Sequence, residues 1–392
     1  MNRQVILLSL CQALLASGNI LLVSVTPLIG RGLAPSHQWI TFPIAMQFIG
    51  LMCATIPASL IMQRFGRRRG FIMGNLTGIA GAAFAVFALW SESFVLFCFA
   101  TTLIGIGIGF STLYRFAAME VCEPEHKSQA ISMIMAGGVL AAIIGPNLSI
   151  YSQKLLPGLG FSAAFVGLLG LYITAFILLT QVKIPALSVS QRSVAQRPLR
   201  NIIIQPAFIV AALTGVVSYA VMNLLMTSTP LAMNRLGYSF VQSTFVIEWH
   251  VLGMFVPSFF TGHLIKRFGY TTMICAGCII MLVCVAINLH GISHAHFMTA
   301  LILLGVGWNF MFITATRLVS DTYRPAEKGK TQATNEFMIF SMVTLSALAS
   351  GWLESSLGWQ RLNIVVLPLL VITLLVIVAL RKKIEVAKAT PC

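Results

Sequence analysis

Apolar stretches of about 20 residues, almost free of charge, recur along the whole 392-residue chain. A bilayer core about 30 Å thick takes about 20 helical residues at 1.5 Å each. Lipid offers no partner for an open backbone, so such stretches span as helices. The runs fall at roughly 5–30, 40–62, 70–90, 94–114, 129–151, 161–182, 206–231, 243–264, 270–291, 296–316, 332–353 and 363–380. They predict an all-α membrane protein with twelve transmembrane helices. The first run follows Met1-Asn2-Arg3-Gln4 directly. It is too long for a signal peptide and reads as the first helix.

The net charge of +15 would suit nucleic acid if it were clustered. It is instead distributed by side. With the N-terminus placed inside, only Arg31, Lys154, Arg235 and Arg361 of the 25 Lys and Arg fall outside. Positive charge collects on the cytoplasmic side of membrane proteins, so both termini are expected in the cytoplasm. The partners expected are therefore a lipid bilayer and a small solute, with no nucleic acid. Most of the eight cysteines lie inside the apolar runs and none in an expected outer loop, which argues against a disulfide framework. Cys275 and Cys278 share the C-x-x-C spacing of a metal or redox pair, and equally read as small buried core residues.

Two matches recur at one offset. Arg64-Phe65-Gly66 reappears as Arg267-Phe268-Gly269, and Lys127-Ser128-Gln129-Ala130 as Lys330-Thr331-Gln332-Ala333, each 203 residues on. A fixed offset over half the chain predicts an internal repeat, six helices plus six in two pseudo-symmetric halves. Residues 1–182 form the first half and 206–392 the second, ending in a short cytoplasmic tail. The polar stretch 183–205, with Lys183, Arg192, Arg197 and Arg200, reads as a cytoplasmic linker.

Twelve helices in two halves, with basic loops after the second and eighth, resemble the major facilitator superfamily. The loop residues that carry the likeness are Arg64, Gly66, Arg67, Arg267 and Gly269. Ser59 and Gln63 depart from the family's Gly and Asp, and Lys266 stands at the second Asp position. The departures leave these arginines a topological role and the capping of helix C-termini. Gly137, Gly145 and Pro146 in the fifth helix resemble a motif of the superfamily's antiporters, and equally mark close packing with a kink. The resemblance implies that helices 1, 4, 7 and 10 line a cavity, which makes Gln12 and Asn19 lining candidates. Trp308 and Asn309 fall near mid-depth of the tenth helix. An amide at that depth needs a partner helix or a wet cavity. Acids are scarce: Glu248 sits near the outer end of the eighth helix and Glu336 near the inner end of the eleventh. Coupling protons, if used, would fall to Glu248 or His250.

The densest functional signal is a soft-donor pattern. Met222 and Met226 lie four apart on the seventh helix, and His250 and Met254 four apart on the eighth. Each pair shares a helix face, and the two pairs match in depth on antiparallel neighbours. Thioethers with a neutral imidazole suit Cu(I). Methionine also packs membrane helices well, and a buried histidine can equally serve a proton or an organic solute. The M-x-x-x-M and H-x-x-x-M pattern resembles the CcoA-like copper importers of the superfamily. What this implies is copper import across a bacterial inner membrane, with Met222, Met226, His250 and Met254 as metal ligands. Copper is then the transported ion, and no cofactor is expected. The alternative is an organic-solute carrier, either a riboflavin-type importer or a proton-coupled drug or metabolite exporter. No nucleotide-binding motif and no nucleophile with a partner base stands at a recognisable spacing, so no enzyme is expected.

Overall fold

The computed structural model describes residues 3–36, 39–123, 127–184 and 197–389. Among these residues there is no strand. The first half runs α1 (Arg3–Leu33), α2 (Phe42–Phe65), α3 (Arg67–Trp90), α4 (Phe94–Ser111), α5 (Tyr114–Glu120), α6 (Lys127–Leu155) and α7 (Ser162–Gln181). The second runs α8 (Leu199–Ile203), α9 (Pro206–Arg235), α10 (Phe240–Phe255), α11 (Ser258–His290), α12 (His294–Ser320) and α13 (Lys328–Ala389).

Among the described residues, ten helical stretches are long and apolar enough to cross a membrane. Two are far too long for one pass: Val241–His290 has 50 residues and Lys328–Lys382 has 55. Each is broken by a glycine in the left-handed region, Gly269 at φ +81° and Gly358 at φ +75°. That backbone is open to Gly and costly for any other L-residue. Counting these two stretches twice gives twelve passes. The same device separates α2 from α3 at Gly66, φ +89°. Gly66 and Gly269 are 203 residues apart, so the two basic loops share one backbone turn.

The chain divides into two compact units between Ala186 and Leu187. Residues 185–196 of the expected linker at 183–205 lie outside the described residues, and α8 occupies its described end. In the first unit α1 packs along α6 and α7, and α4 lies against α2 and α3. In the second unit α9 packs along α13 and α12, and α12 lies against α10 and α11.

The repeat extends to single contacts. A Cβ on Gly105 would collide with the backbone oxygen of Gln47, and one on Gly305 with that of His250. Gln47 and His250 are 203 apart, and Gly105 and Gly305 are 200 apart. A Cβ on Gly107 would lie 2.8 Å from Gly74 O, and one on Gly307 2.9 Å from Gly277 O. Ser93 caps α4 by accepting from Leu96 N, and Ser293 caps α12 by accepting from His296 N. Small residues let helices close to backbone contact where lipid gives no hydrophobic drive.

In the second half, the connection between α12 and α13 is tied by charge. Glu327, between α12 and α13, accepts from Arg197 Nε at 2.9 Å and Nη2 at 2.7 Å, and from the Arg324 amide at 3.0 Å. The Arg197 guanidinium holds this carboxyl down from its ordinary 4.5 to about 2, against the opposing effect of burial.

Candidate functional site

α10 and α12 carry Glu248, His250, Met254, Trp308 and Asn309 of the residues expected to carry function. His250 is fully buried at 0% exposure. Its Nδ1 lies 2.7 Å from the Leu301 carbonyl, which can only accept, so Nδ1 carries the proton and donates. Nε2 is buried with no partner. One turn on, Met254 is buried and meets Asn309 through its backbone oxygen, 2.6 Å from Asn309 Nδ2. Asn309 also donates to Ser258 Oγ at 2.6 Å and accepts from Thr261 Oγ1 at 2.6 Å. Its polar atoms are thus spent on joining α12 to α10 and α11. Of the two readings open for Asn309, the interhelix hydrogen bond is the one observed. Met222 and Met226 are buried on α9, and their neighbour Asn223 donates to Val343 O and Ser346 Oγ of α13. Glu248 is half-buried on α10.

The same half holds a cluster of rings. Tyr219 of α9 meets Trp308 at 5.4 Å, Phe312 at 5.3 Å and Phe340 of α13 at 5.5 Å, each edge to face. Trp308 and Phe312 stack at 4.8 Å with an interplanar angle of 13°. Phe255 of α10 closes on Trp308 at 6.2 Å. Trp308 is 2% exposed, and its Nε1 has no hydrogen-bond partner. Trp308 was legible as a candidate; Tyr219, Phe255, Phe312 and Phe340 were not, because aromatic residues are common throughout the chain and the rings come from four separate helices.

The first half answers with amides. Gln47 of α2 is buried and donates through Nε2 to Asn19 Oδ1 of α1 at 2.5 Å. Gln12 Oε1 and Gln47 Oε1 are buried without partners. Asn19 is therefore half of an interhelix pair, and Gln47 is a polar residue the sequence reading passed over.

The loop residues behave unevenly. Arg64 and Arg267 lie over the rings of Phe65 and Phe268, at 5.4 and 5.3 Å. Arg68 donates to the Thr180 carbonyl in the last turn of α7, the expected helix cap. Arg67 does more than set topology. It forms an ion pair with Glu120 of α5 at 2.9 Å and also reaches Met62 Sδ at 3.6 Å. The expectation of a purely topological role is corrected there, because Glu120 supplies the acid that Gln63 lacks. Gly137 and Gly145 sit against α1: a Cβ on either would fall 2.6 Å from Ser9 O or 3.0 Å from Ser17 O. Close packing accounts for both. Residue 146 continues the helix.

Among the described residues no group of three or more His, Cys, Asp or Glu is placed to hold a metal ion. Cys275 and Cys278 are free thiols, Cys278 buried. What the second half offers is an unprotonated buried nitrogen, thioethers and a ring surface with one unpaired N–H.

The sequence matches the family model of the Major Facilitator Superfamily over residues 8–333 and 249–391. The chain belongs to the major facilitator superfamily. Among curated relatives it is 37% identical to the riboflavin transporter RfnT of Brucella anthropi, over 99% of this chain and 98% of that one. It is 28% identical to an uncharacterised transporter of this type, YddS of Bacillus subtilis, over 90% of this chain and 86% of that one. Among solved structures it overlays FucP in its outward conformation with a TM-score of 0.73 at 14% identity, covering 98% and 99% of the two chains. It overlays the human organic anion transporter MFSD10 with a TM-score of 0.74 at 15% identity, covering 96% and 100%. At such identities the structural likeness speaks for the fold.

Membership in the superfamily makes this a multi-pass membrane transporter, with no catalytic role assigned to any residue. The copper-importing branch, expected from the Met and His pattern, finds no support among these relatives. The relative at 37% identity is named a riboflavin transporter.

Proposed function

We propose that this chain is a secondary carrier for riboflavin or a close chemical relative, importing it across a bacterial inner membrane with both termini cytoplasmic. The observation that carries the reading is the 37% identity to a riboflavin transporter, end to end in both chains. The alternating access of two repeated halves supplies the transport cycle by analogy of fold. With no nucleotide-binding motif, the energy comes from an ion gradient or from trapping of the solute inside the cell.

The test is growth. A strain that cannot make riboflavin and lacks its own uptake system grows on low riboflavin when it expresses this chain. The absence of rescue, with the protein present in the membrane, overturns the reading.

A second reading, copper import, keeps one observation in its favour. His250 donates through Nδ1 to a carbonyl and leaves Nε2 unpartnered. That tautomer is the one second-shell bonding sets for a metal-binding histidine. Met222, Met226 and Met254 are the thioethers that would share the ion. Uptake of radiocopper that depends on His250 would favour it over the first reading.

A further inference from the structure

We infer that Tyr219, Trp308 and Phe312 form the stacking subsite for a flat heteroaromatic ring in the second half, with the Trp308 indole N–H as its orienting donor. The inference rests on the riboflavin reading and names the residues that would meet the ring system.

The first support is geometric. Tyr219 is surrounded by three rings between 5.3 and 5.5 Å, and Trp308 stacks on Phe312 at 4.8 Å. Tyr219 and Phe255 are half-buried while Trp308, Phe312 and Phe340 are buried, so the group opens at the Tyr219 and Phe255 edge. Ring-to-ring contacts depend on area and orientation, so a flat solute can replace one ring's contact with its own. The second support is chemical. Trp308 Nε1 is buried without an acceptor, which costs stability unless something supplies one. The ring carbonyls and nitrogens of a flavin-like heterocycle are acceptors.

The third support comes from the repeat. The 203-residue offset pairs Tyr219 with Ala16, Phe255 with Met52 and Phe340 with Gly137. The 200-residue offset of α12 on α4 pairs Trp308 with Ile108 and Phe312 with Thr112. The first half thus packs the same helices with none of these rings. Packing of the shared scaffold does not call for them, so their presence in the second half has another cause.

The test uses the full-length protein, purified in detergent, titrated with riboflavin and followed by quenching of flavin fluorescence. Uptake kinetics in cells run beside it. Wild type is expected to quench flavin emission on binding. Trp308→Ile, which installs the first half's residue, is expected to raise Kd and KM about tenfold or more, the scale of losing one stacking ring. Trp308→Phe keeps a ring and loses the N–H, so quenching persists with a smaller rise in Kd. Trp359→Phe is the control: its Nε1 is also buried without a partner, against Phe297 in the same half, and Kd should not change. If Trp308→Ile does not fold, the Trp308→Phe result against Trp359→Phe decides. Wild-type Kd in both Trp308 variants overturns the inference and leaves the riboflavin reading standing. Failure of wild type to bind or import riboflavin overturns the reading, and the inference falls with it.

Discussion

Where α1 meets α2, the first half closes on an amide pair, Gln47 to Asn19 at 2.5 Å. The equivalent positions in the second half, 203 residues on, are His250 and Met222. There the histidine turns instead to the Leu301 carbonyl, and its other nitrogen is left without a partner. A similar divergence appears at the loops. Arg67 forms an ion pair with Glu120, while its counterpart Tyr270 donates to Asp321 at 2.5 Å, itself 3.0 Å from Arg317. Glycine contacts, the Ser93 and Ser293 caps and the Arg64 and Arg267 ring contacts survive the duplication, while the amide pair, the Arg67 ion pair and the ring cluster do not. Backbone-to-backbone packing has few solutions, because a single added carbon collides. Side chains outside these backbone contacts are free of that constraint, and there the halves have parted.

The largest effect should come from breaking what the halves share. Gly105→Leu and Gly305→Leu each drive a side chain into a neighbouring backbone oxygen. Overpacking of this kind costs roughly 1–3 kcal/mol and more where backbones must part. Both variants should lose most folded protein in size-exclusion profiles. Gly32→Ala, where nothing lies within 4 Å of the added carbon, should melt like wild type. A half that tolerates its leucine would show that the shared packing is not required.

The next effect is specific to the α12–α13 connection of the second half. Glu327 is held at about 2 by Arg197. A depressed carboxyl contributes stability above its unfolded value, and that stability is lost as pH falls from about 4.5 towards 2. The contribution is on the order of 2–3 kcal/mol. Glu327→Gln should lower the melting temperature at neutral pH and remove the acid-dependent fall across that window. An unchanged acid limb in thermal melts would refute the assignment.

A smaller effect separates the two loops. Reversing Arg67 to Glu should cost about 1 kcal/mol, since the pair is only partly buried. The double exchange, Arg67→Glu with Glu120→Arg, should recover much of the loss in transport rate. Tyr270→Phe, which removes one hydrogen bond and no charge, should slow transport less. Recovery absent in the double exchange would mean that Arg67 acts through something other than Glu120.

Smallest of all are the thioethers. Met222→Leu and Met226→Leu conserve volume and should leave riboflavin uptake within about twofold. A tenfold loss would mean that the sulfurs touch the solute or an ion.

Much of the fold was legible in the sequence because hydrophobic run length and one repeat offset each carry a strong signal. The twelve passes follow from the runs, and the two glycines of the basic loops mark real backbone turns at Gly66 and Gly269. The site was less legible. The Met and His spacing drew attention to helix faces, which periodicity reveals, and suggested copper. The ring cluster draws single residues from α9, α10, α12 and α13, and no periodicity along one helix joins them. Glu120 was missed as the partner of Arg67 for the same reason: they are 53 residues apart. Gln47 and Asn19 showed only as polar letters in apolar helices, with nothing to say that they face each other.

The central claim is that the second half handles a flat organic solute and not a metal ion. The direct measurement is the initial rate of labelled riboflavin uptake, beside radiocopper uptake, in cells lacking their own routes for both. Saturable riboflavin uptake that survives Met222→Leu, with copper uptake at the level of the empty vector, is the expected result. Copper uptake that His250→Gln abolishes, with no riboflavin uptake above the vector, would contradict it.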